Sequence, residues 1–269
     1  TNNVTVYLDA SGAASITTAD IDNGSSDNCS ITLSLDITSF DCNDVGTNTV
    51  NLTATDVNSN SSSATAVVTV VDNISPTVLT NNVTVYLDAS GAASITTTDI
   101  DHGSSDNCSI NTLVLDITGF DCNDLGTNPV NLTATDVNSN SSSATAVVTV
   151  VDNISPTVLT NNVTVYLDAS GAASITTADI DNGSSDNCSI TLSLDITSFD
   201  CNDVGTNTVN LTATDVNSNS SSATAVVTVV DNISPTVLTN NVTVYLDASG
   251  AASITTTDID NGSSDNCSI

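Results

Sequence analysis

The residues best placed to do chemistry lie between Asp20 and Cys29, in the run D-I-D-N-G-S-S-D-N-C. Asp20, Asp22, Asp27 and Cys29 fall within ten residues, with glycine and serine supplying flexible backbone between them. The run returns as Asp99–Cys108, with His102 replacing the asparagine, then as Asp179–Cys188 and as Asp258–Cys267. Carboxylate and amide oxygens are hard donors, which suit calcium far better than softer metals. An oxygen-rich loop that recurs at even intervals points to a periodic scaffold rather than to one catalytic centre.

Calcium is the cofactor these donors suggest. In the first copy they form three groups: Asp20, Asp22 and Asp27; Asp56, Asn58 and Asn60; Asp72 with Asn73. Their counterparts include Asp99, Asp101, Asp106, Asp136 and Asp152, then Asp179, Asp181, Asp186, Asp215 and Asp231. The first group opens like an EF-hand, D-x-D, but has Gly24 at the fifth position and Ile31 at the twelfth. Without a glutamate there it is not an EF-hand. If the acidic loop and the last hairpin's tip share one pole of a domain, Asp72 and Asn73 lie near Asp99, Asp101, Asp106 and Asp136 of the next copy. A cation at that point neutralises clustered charge and stiffens the joint. The competing reading is solvated turn residues, since turns favour aspartate and asparagine for their own hydrogen bonds.

Seven cysteines with no C-x-x-C spacing suggest disulfides and an oxidising, extracellular setting. The expected pairs are Cys29–Cys42, Cys108–Cys122 and Cys188–Cys201, with Cys267 left over. A loop of about 13 residues closed in this way gains roughly 3 kcal/mol in the loop-entropy model. Ten extended residues would hold the cysteines about 30 Å apart, so the pair requires the chain to turn back, near Thr38 and Ser39. Free thiols and a bridge between neighbouring domains are the rival arrangements.

Composition removes whole classes of function. There is no lysine or arginine in 269 residues, the 31 acids are all aspartate, and the formal net charge is −31. Nucleic-acid binding and adhesion to anionic membrane through basic residues both need cations that are missing. Catalysis has little to draw on. His102 is the single histidine, and the other copies carry Asn23, Asn182 and Asn261 at its position. Paired aspartates serve glycosidases, but a chain with no tryptophan and few aromatics offers no grip on sugar in every repeat. The expectation is a non-enzyme. Asn3, Asn28, Asn51 and Asn60 begin N-x-S/T patterns, which arise easily in so Asn- and Thr-rich a chain.

The elements that must position these residues come from an internal repeat. Thr1–Leu79 reappears as Thr80–Leu159 and Thr160–Leu238, and a fourth copy runs to Ile269; the second copy carries one extra residue, Asn111. Within a copy the apolar period is two: Val4, Val6 and Leu8; Ile31, Leu33, Leu35 and Ile37; Val50, Leu52 and Ala54; Ala64, Ala66, Val68 and Val70. Ala13–Thr17 reads as a further short strand after the turn Asp9–Gly12. Threonine and valine dominate, and Glu, Lys, Gln, Arg and Met are absent, so the fold class is all-β. Short strands in roughly 80 residues fit an immunoglobulin-like β-sandwich. The predicted domains are residues 1–73, 74–153, 154–232 and a partial 233–269, with junctions at Pro76, Pro156 and Pro235. No apolar run is long enough for a transmembrane helix, and no signal peptide is present, so the chain reads as an excerpt of a longer mature protein.

Val50–Asn60 (V-x-L-T-A-T-D-x-N-x-N), Ala64–Asp72 (A-T-A-V-V-T-V-V-D), the D-N-x-S-P-T-V junction and Ser25–Ser30 (S-S-D-N-C-S) together resemble hyalin-repeat-like immunoglobulin-fold domains. Tandem arrays of these occur in giant cell-surface adhesins of gliding and marine bacteria. The resemblance covers essentially the whole chain and implies a β-sandwich stalk with a role in adhesion or surface motility. Similar domains usually pair the D-N-C cysteine with one in the last strand, but residues 61–71 contain none, so that bridge does not carry over. The expected function is mechanical, a stalk or filament segment at the cell surface whose partners are neighbouring repeats. Two alternatives stand beside it: an array in which each repeat binds a glycan or ice, and a self-assembling fibre of several chains.

Overall fold

The structure, a computed structural model, describes residues 1–268. It is all-β and contains three repeated sandwich units of about 80 residues. The chain packs as two compact units. One comprises Thr1–Tyr86 with Ala92–Val151, and the other Leu87–Gly91 with the chain from Asp152 onward.

The first repeat contains β1 (Val4–Tyr7), β2 (Ala14–Ser15), α1 (Thr18–Ile21), β3 (Ile31–Leu35), β4 (Ser39–Phe40), β5 (Gly46–Asp56) and β6 (Ser61–Val71). One sheet has the order β1-β6-β5-β3, and β2 pairs with β4 in the other. β5 and β6 form a long antiparallel hairpin, while β1 runs parallel to β6 with Val4 opposite Val68. The alternation in the sequence becomes alternation of faces. Val50, Leu52, Val68 and Val70 point into a core shared with Leu8, Ile16 and Phe40, whereas Tyr7 is exposed. The equivalent core of the third repeat is built from Val209, Leu211, Val227, Val229, Leu167, Ile175 and Phe199, with Val158 packed against it.

The second repeat places β7 (Val83–Tyr86), β8 (Ala92–Ser94), α2 (Thr97–Ile100), β9 (Ile110–Leu115), β10 (Gly119–Asp121), β11 (Gly126–Asp136) and β12 (Ser141–Val151) in the same arrangement. Its extra residue, Asn111, is accommodated as a β-bulge: Thr112 stands opposite Thr135 and Ile110 opposite Asp136, with Asn111 unmatched between them. The core register is therefore kept. The third repeat continues with β13 (Val163–Tyr166), β14 (Ala172–Ser174), α3 (Thr177–Ile180), β15 (Ile190–Leu194), β16 (Ser198–Asp200), β17 (Gly205–Asp215) and β18 (Ser220–Val230).

Two local features depart from the expected run of strands. The stretch read as a loop opens with the single helical turn α1, whose Thr17 backbone N–H and hydroxyl both donate to the Asp20 carboxylate. This T-x-x-D arrangement is a capping box with aspartate in the glutamate position. The turn drives Ile21 into the core with no exposed surface, a burial that stabilises by about 1.5–3 kcal/mol. Cys42–Asp44 form a short 3-10 turn capped by Asp41.

The junction segment is also tied down rather than free. Pro76 is buried, and Thr77 exchanges backbone hydrogen bonds with Ser105 at 2.8 and 3.0 Å. Thr157 does the same with Ser185.

Candidate metal centre at the repeat junctions

β5 fixes the geography of each repeat. Ile31, just after the D-N-C run, pairs with Asp56 at one end of β5, while Gly46, just after Cys42, pairs with Val70 at the other. At about 3.3 Å per residue those ends are about 33 Å apart. Cys29 and Cys42 therefore sit at opposite poles, and the expected Cys29–Cys42 bridge does not form. Cys42 instead bonds to Cys108 of the following repeat, with Cα atoms 5.4 Å apart, and Cys201 bonds to Cys267 with the same spacing. The expected Cys108–Cys122 and Cys188–Cys201 pairs fall with it, and Cys267 is not an orphan. Cys122 and Cys188 are also disulfide-bonded. Cys29 is the free cysteine, and it is exposed.

The same polar geography gathers acids from successive repeats. Asp72 leaves the carboxyl pole of the first repeat and meets Asp106 and Asp136 at the amino pole of the second, with a ligand oxygen from each within 4.8 Å of the others. Asp152, Asp186 and Asp215 form an equivalent group. Asp72 and Asp136 are 6% and 1% exposed, and Asp152 and Asp215 are 2% and 7% exposed.

Each carboxylate in the first group is aimed by protein donors. Asp72 accepts the Ile74 backbone N–H and the Asn107 Nδ2 amide on Oδ1, at 3.1 and 3.2 Å, which leaves its buried Oδ2 without a partner. Asp106 accepts the Cys108 N–H on Oδ2 at 3.0 Å, and its buried Oδ1 has no partner. Asp136, at the tip of the β11–β12 hairpin, accepts the Asn138 and Asn140 backbone N–H groups on Oδ1, each at 2.8 Å. Asn140 Nδ2 donates both to Asp136 Oδ2, at 2.8 Å, and to the Asp72 backbone carbonyl, at 3.3 Å. Asn107 Oδ1 is a further buried oxygen without a donor.

The second group repeats the pattern. Asp152 Oδ2 and Asp186 Oδ1 are buried without partners, while Asp215 Oδ1 accepts the Asn217 and Asn219 N–H groups. At the following junction Asn266 donates to Asp231 at 3.1 Å, and Asp265 Oδ1 is again buried and unpartnered.

The remaining candidates have other duties. Asp20, Asp99 and Asp179 cap their helical turns, and hydrogen bonds from Thr17, Thr96 and Thr176 hold their carboxyls below the usual range. Asp22, Asp101 and Asp181 accept from Ser25, Ser104 and Ser184, which lowers them too. None of these six joins a three-acid group among the described residues. Asn73 is exposed, and the Asn60-type amides act as donors that tie the hairpin tip together. Asp27 and Asp56 occupy the Asp106 and Asp136 positions in the first repeat, where no Asp72 counterpart faces them among the described residues. Asn107 Oδ1 is one oxygen the sequence reading left out. Its signal was its place in the D-N-C run between Asp106 and Cys108, whose first-copy equivalent Asn28 entered as a glycan-acceptor position and as part of the S-S-D-N-C-S motif. The Asn3 pattern is likewise occupied structurally, because Asn3 Oδ1 accepts the Val67 N–H at 2.8 Å.

Carboxylate oxygens within 4.8 Å of one another repel by about 3.5 kcal/mol per pair at that limit, for an effective dielectric constant of about 20. Proteins usually offset such clusters with lysine or arginine, and this chain has neither. A cation from solution would supply the compensating charge. Oxygen-only donors around unpartnered carboxylate oxygens fit a hard divalent cation, with water completing the six to eight ligands that calcium takes.

No family model and no curated protein matches the chain. Among solved structures it is similar to a protocadherin gamma B7 EC3-6 cis-dimer structure, at 16% identity over 93% of this chain and 77% of that one, with a TM-score of 0.35. It is similar to protocadherin gamma B2 extracellular cadherin domains 3-6 at 17% identity, over 93% of this chain and 76% of that one, with a TM-score of 0.34. Mouse cadherin-23 EC22-24 shows 14% identity over 86% of this chain and 96% of that one, also with a TM-score of 0.34. No described helix is long and apolar enough to cross a membrane.

Proposed function

We propose that the chain is a stretch of an extracellular structural array, the stalk or shaft of a bacterial cell-surface adhesin, with joints closed by calcium and disulfides. The observation that carries this reading is the pair of buried three-aspartate groups, each with unpartnered oxygens and no protein cation to offset them. A carboxylate from one repeat and two from the next then share one cation, which converts repulsion across the joint into attraction. Disulfides across the same joint suit an oxidising exterior. The hyalin-type motifs and the non-enzymatic composition agree with a mechanical role. Domain bounds at 1–73, 74–153, 154–232 and 233–269 follow from the same reading, with each junction segment serving the repeat after it.

One feature favours the alternative of a binding array. Thr5, Thr69 and Thr47 lie side by side across β1, β6 and β5 on the outer face. That face has only Tyr7 as an exposed aromatic in the repeat, which leaves the mechanical reading ahead.

Pulling single chains end to end tests the load-bearing claim. Calcium should raise the force at which repeats unfold, and excess chelator should lower it. Indistinguishable traces under the two conditions would end the proposal that calcium carries load at the joints.

A further inference from the structure

The tripeptide Asp106-Asn107-Cys108 does three things at one place. Asp106 contributes a cluster carboxylate, Asn107 reaches back to the preceding repeat, and Cys108 is covalently bound to that repeat through Cys42. The Asn107 amide donates to Asp72 Oδ1 at 3.2 Å and to the Asp9 carbonyl at 3.3 Å, while its own buried Oδ1 has no hydrogen-bond partner. Asp265-Asn266-Cys267 repeats the arrangement: Cys267 is bonded to Cys201, and Asn266 donates to Asp231 Oδ1 at 3.1 Å and to the Asp168 carbonyl at 3.2 Å. The Asp265 Oδ1 and Asn266 Oδ1 atoms are buried and unpartnered there too.

We infer that Asn107 Oδ1 is a fourth protein ligand of the junction cation, and that the Cys42–Cys108 disulfide and the cation are thermodynamically coupled. This rests on the calcium reading above. The disulfide fixes the backbone one residue from Asn107 and two from Asp106, so the oxygens from both repeats are held together before the cation arrives. Without the bond, binding must also order the joint, and the affinity falls. Coupling of this kind is reciprocal: whatever factor the disulfide adds to calcium affinity, calcium adds to the disulfide's resistance to reduction. In that reduction a dithiol supplies two electrons and two protons, becomes a cyclic disulfide, and leaves Cys42 and Cys108 as thiols.

The test is calcium titration of the whole chain and of a Cys42→Ser/Cys108→Ser variant, with the Asp152, Asp186 and Asp215 site as an internal reference. The expected result is one class of site in the parent. In the variant one site should be weakened about fivefold or more, the lower end of typical coupling. Equal affinities in the two proteins would overturn the coupling and leave the calcium reading standing; no binding in either would overturn both. Because the double substitution also removes a stabilising cross-link, the parent chain supplies a second measurement. Equilibrium reduction of Cys42–Cys108 by dithiothreitol, mapped by mass spectrometry, should require more reductant in calcium than in magnesium at equal ionic strength. The same demand in both cations would overturn the coupling. Asn107→Ala should weaken the first site with the disulfide intact, and unchanged affinity there would remove Asn107 from the ligand set.

Discussion

Replacing Gly12 by alanine should open the first junction. Gly12 has φ +74°, and a Cβ there would lie 2.8 Å from the Asn107 carbonyl oxygen and 2.8 Å from Cys42 Sγ. A left-handed conformation costs an L-residue roughly 1–2 kcal/mol by itself. The collision is the larger effect, because one of the struck atoms is backbone of the next repeat and the other is half of the disulfide. Neither can yield without moving Asn107, and with it the tie to Asp72. The parent chain should show one reactive thiol under non-reducing conditions, Cys29. Gly12→Ala should show three, because the displaced Cys42 and Cys108 are never brought within bonding distance as the chain folds and remain thiols. A count that stays at one, with unchanged melting, would mean that the joint tolerates a side chain at its seat. Gly171 meets Asn266 and Cys201 in the same way, with the corresponding contacts at 2.6 and 2.7 Å, so its substitution should act alike.

Asp106→Asn should change sign with the solution. Asparagine keeps an oxygen for the Cys108 N–H and turns an amide toward the cluster, where Asp72 Oδ2 lacks a donor. It also removes two carboxylate pairs from the group, each worth about 3.5 kcal/mol of repulsion at an effective dielectric constant of about 20. In chelator the variant should therefore melt above the parent. In calcium it should melt below, since one ligand charge is gone and site occupancy at a hundredfold excess over Kd otherwise contributes about 2.7 kcal/mol. Asp27→Asn supplies the control, because Asp27 holds the same place in the first repeat and joins no three-acid group among the described residues. A variant that melts on the same side of the parent in both solutions would contradict the account of the cluster.

Much of the sandwich was legible because strand faces alternate. Val4, Val6 and Leu8, or Val50 and Leu52, announce a half-buried sheet without any tertiary information. The capping turn at Thr17–Asp20 was legible in principle from T-x-x-D, but the pattern lay inside a stretch so acidic that ligand chemistry drew attention first. Cysteine pairing was not legible from proximity along the chain, since β5 carries Cys42 to the pole opposite Cys29. The rival arrangement, a bridge between neighbouring domains, is the one that forms: the strand Gly46–Asp56 spans the domain, and a repeat with one cysteine at each pole bonds to its neighbour. The gathering of Asp72, Asp106 and Asp136 followed from placing the acidic loop and hairpin tip at one pole. Which acids were excluded depended on individual hydrogen bonds, such as Ser104 to Asp101, that no pattern reveals.

On the proposed reading, each three-aspartate group holds one hard divalent cation. The most direct test is a calcium-binding isotherm on the whole chain beside its Asp106→Asn/Asp186→Asn variant. The account predicts two sites of similar affinity in the parent, one for each group, and the loss of both in the variant. A parent that binds no calcium, or a variant that binds as the parent does, would contradict it.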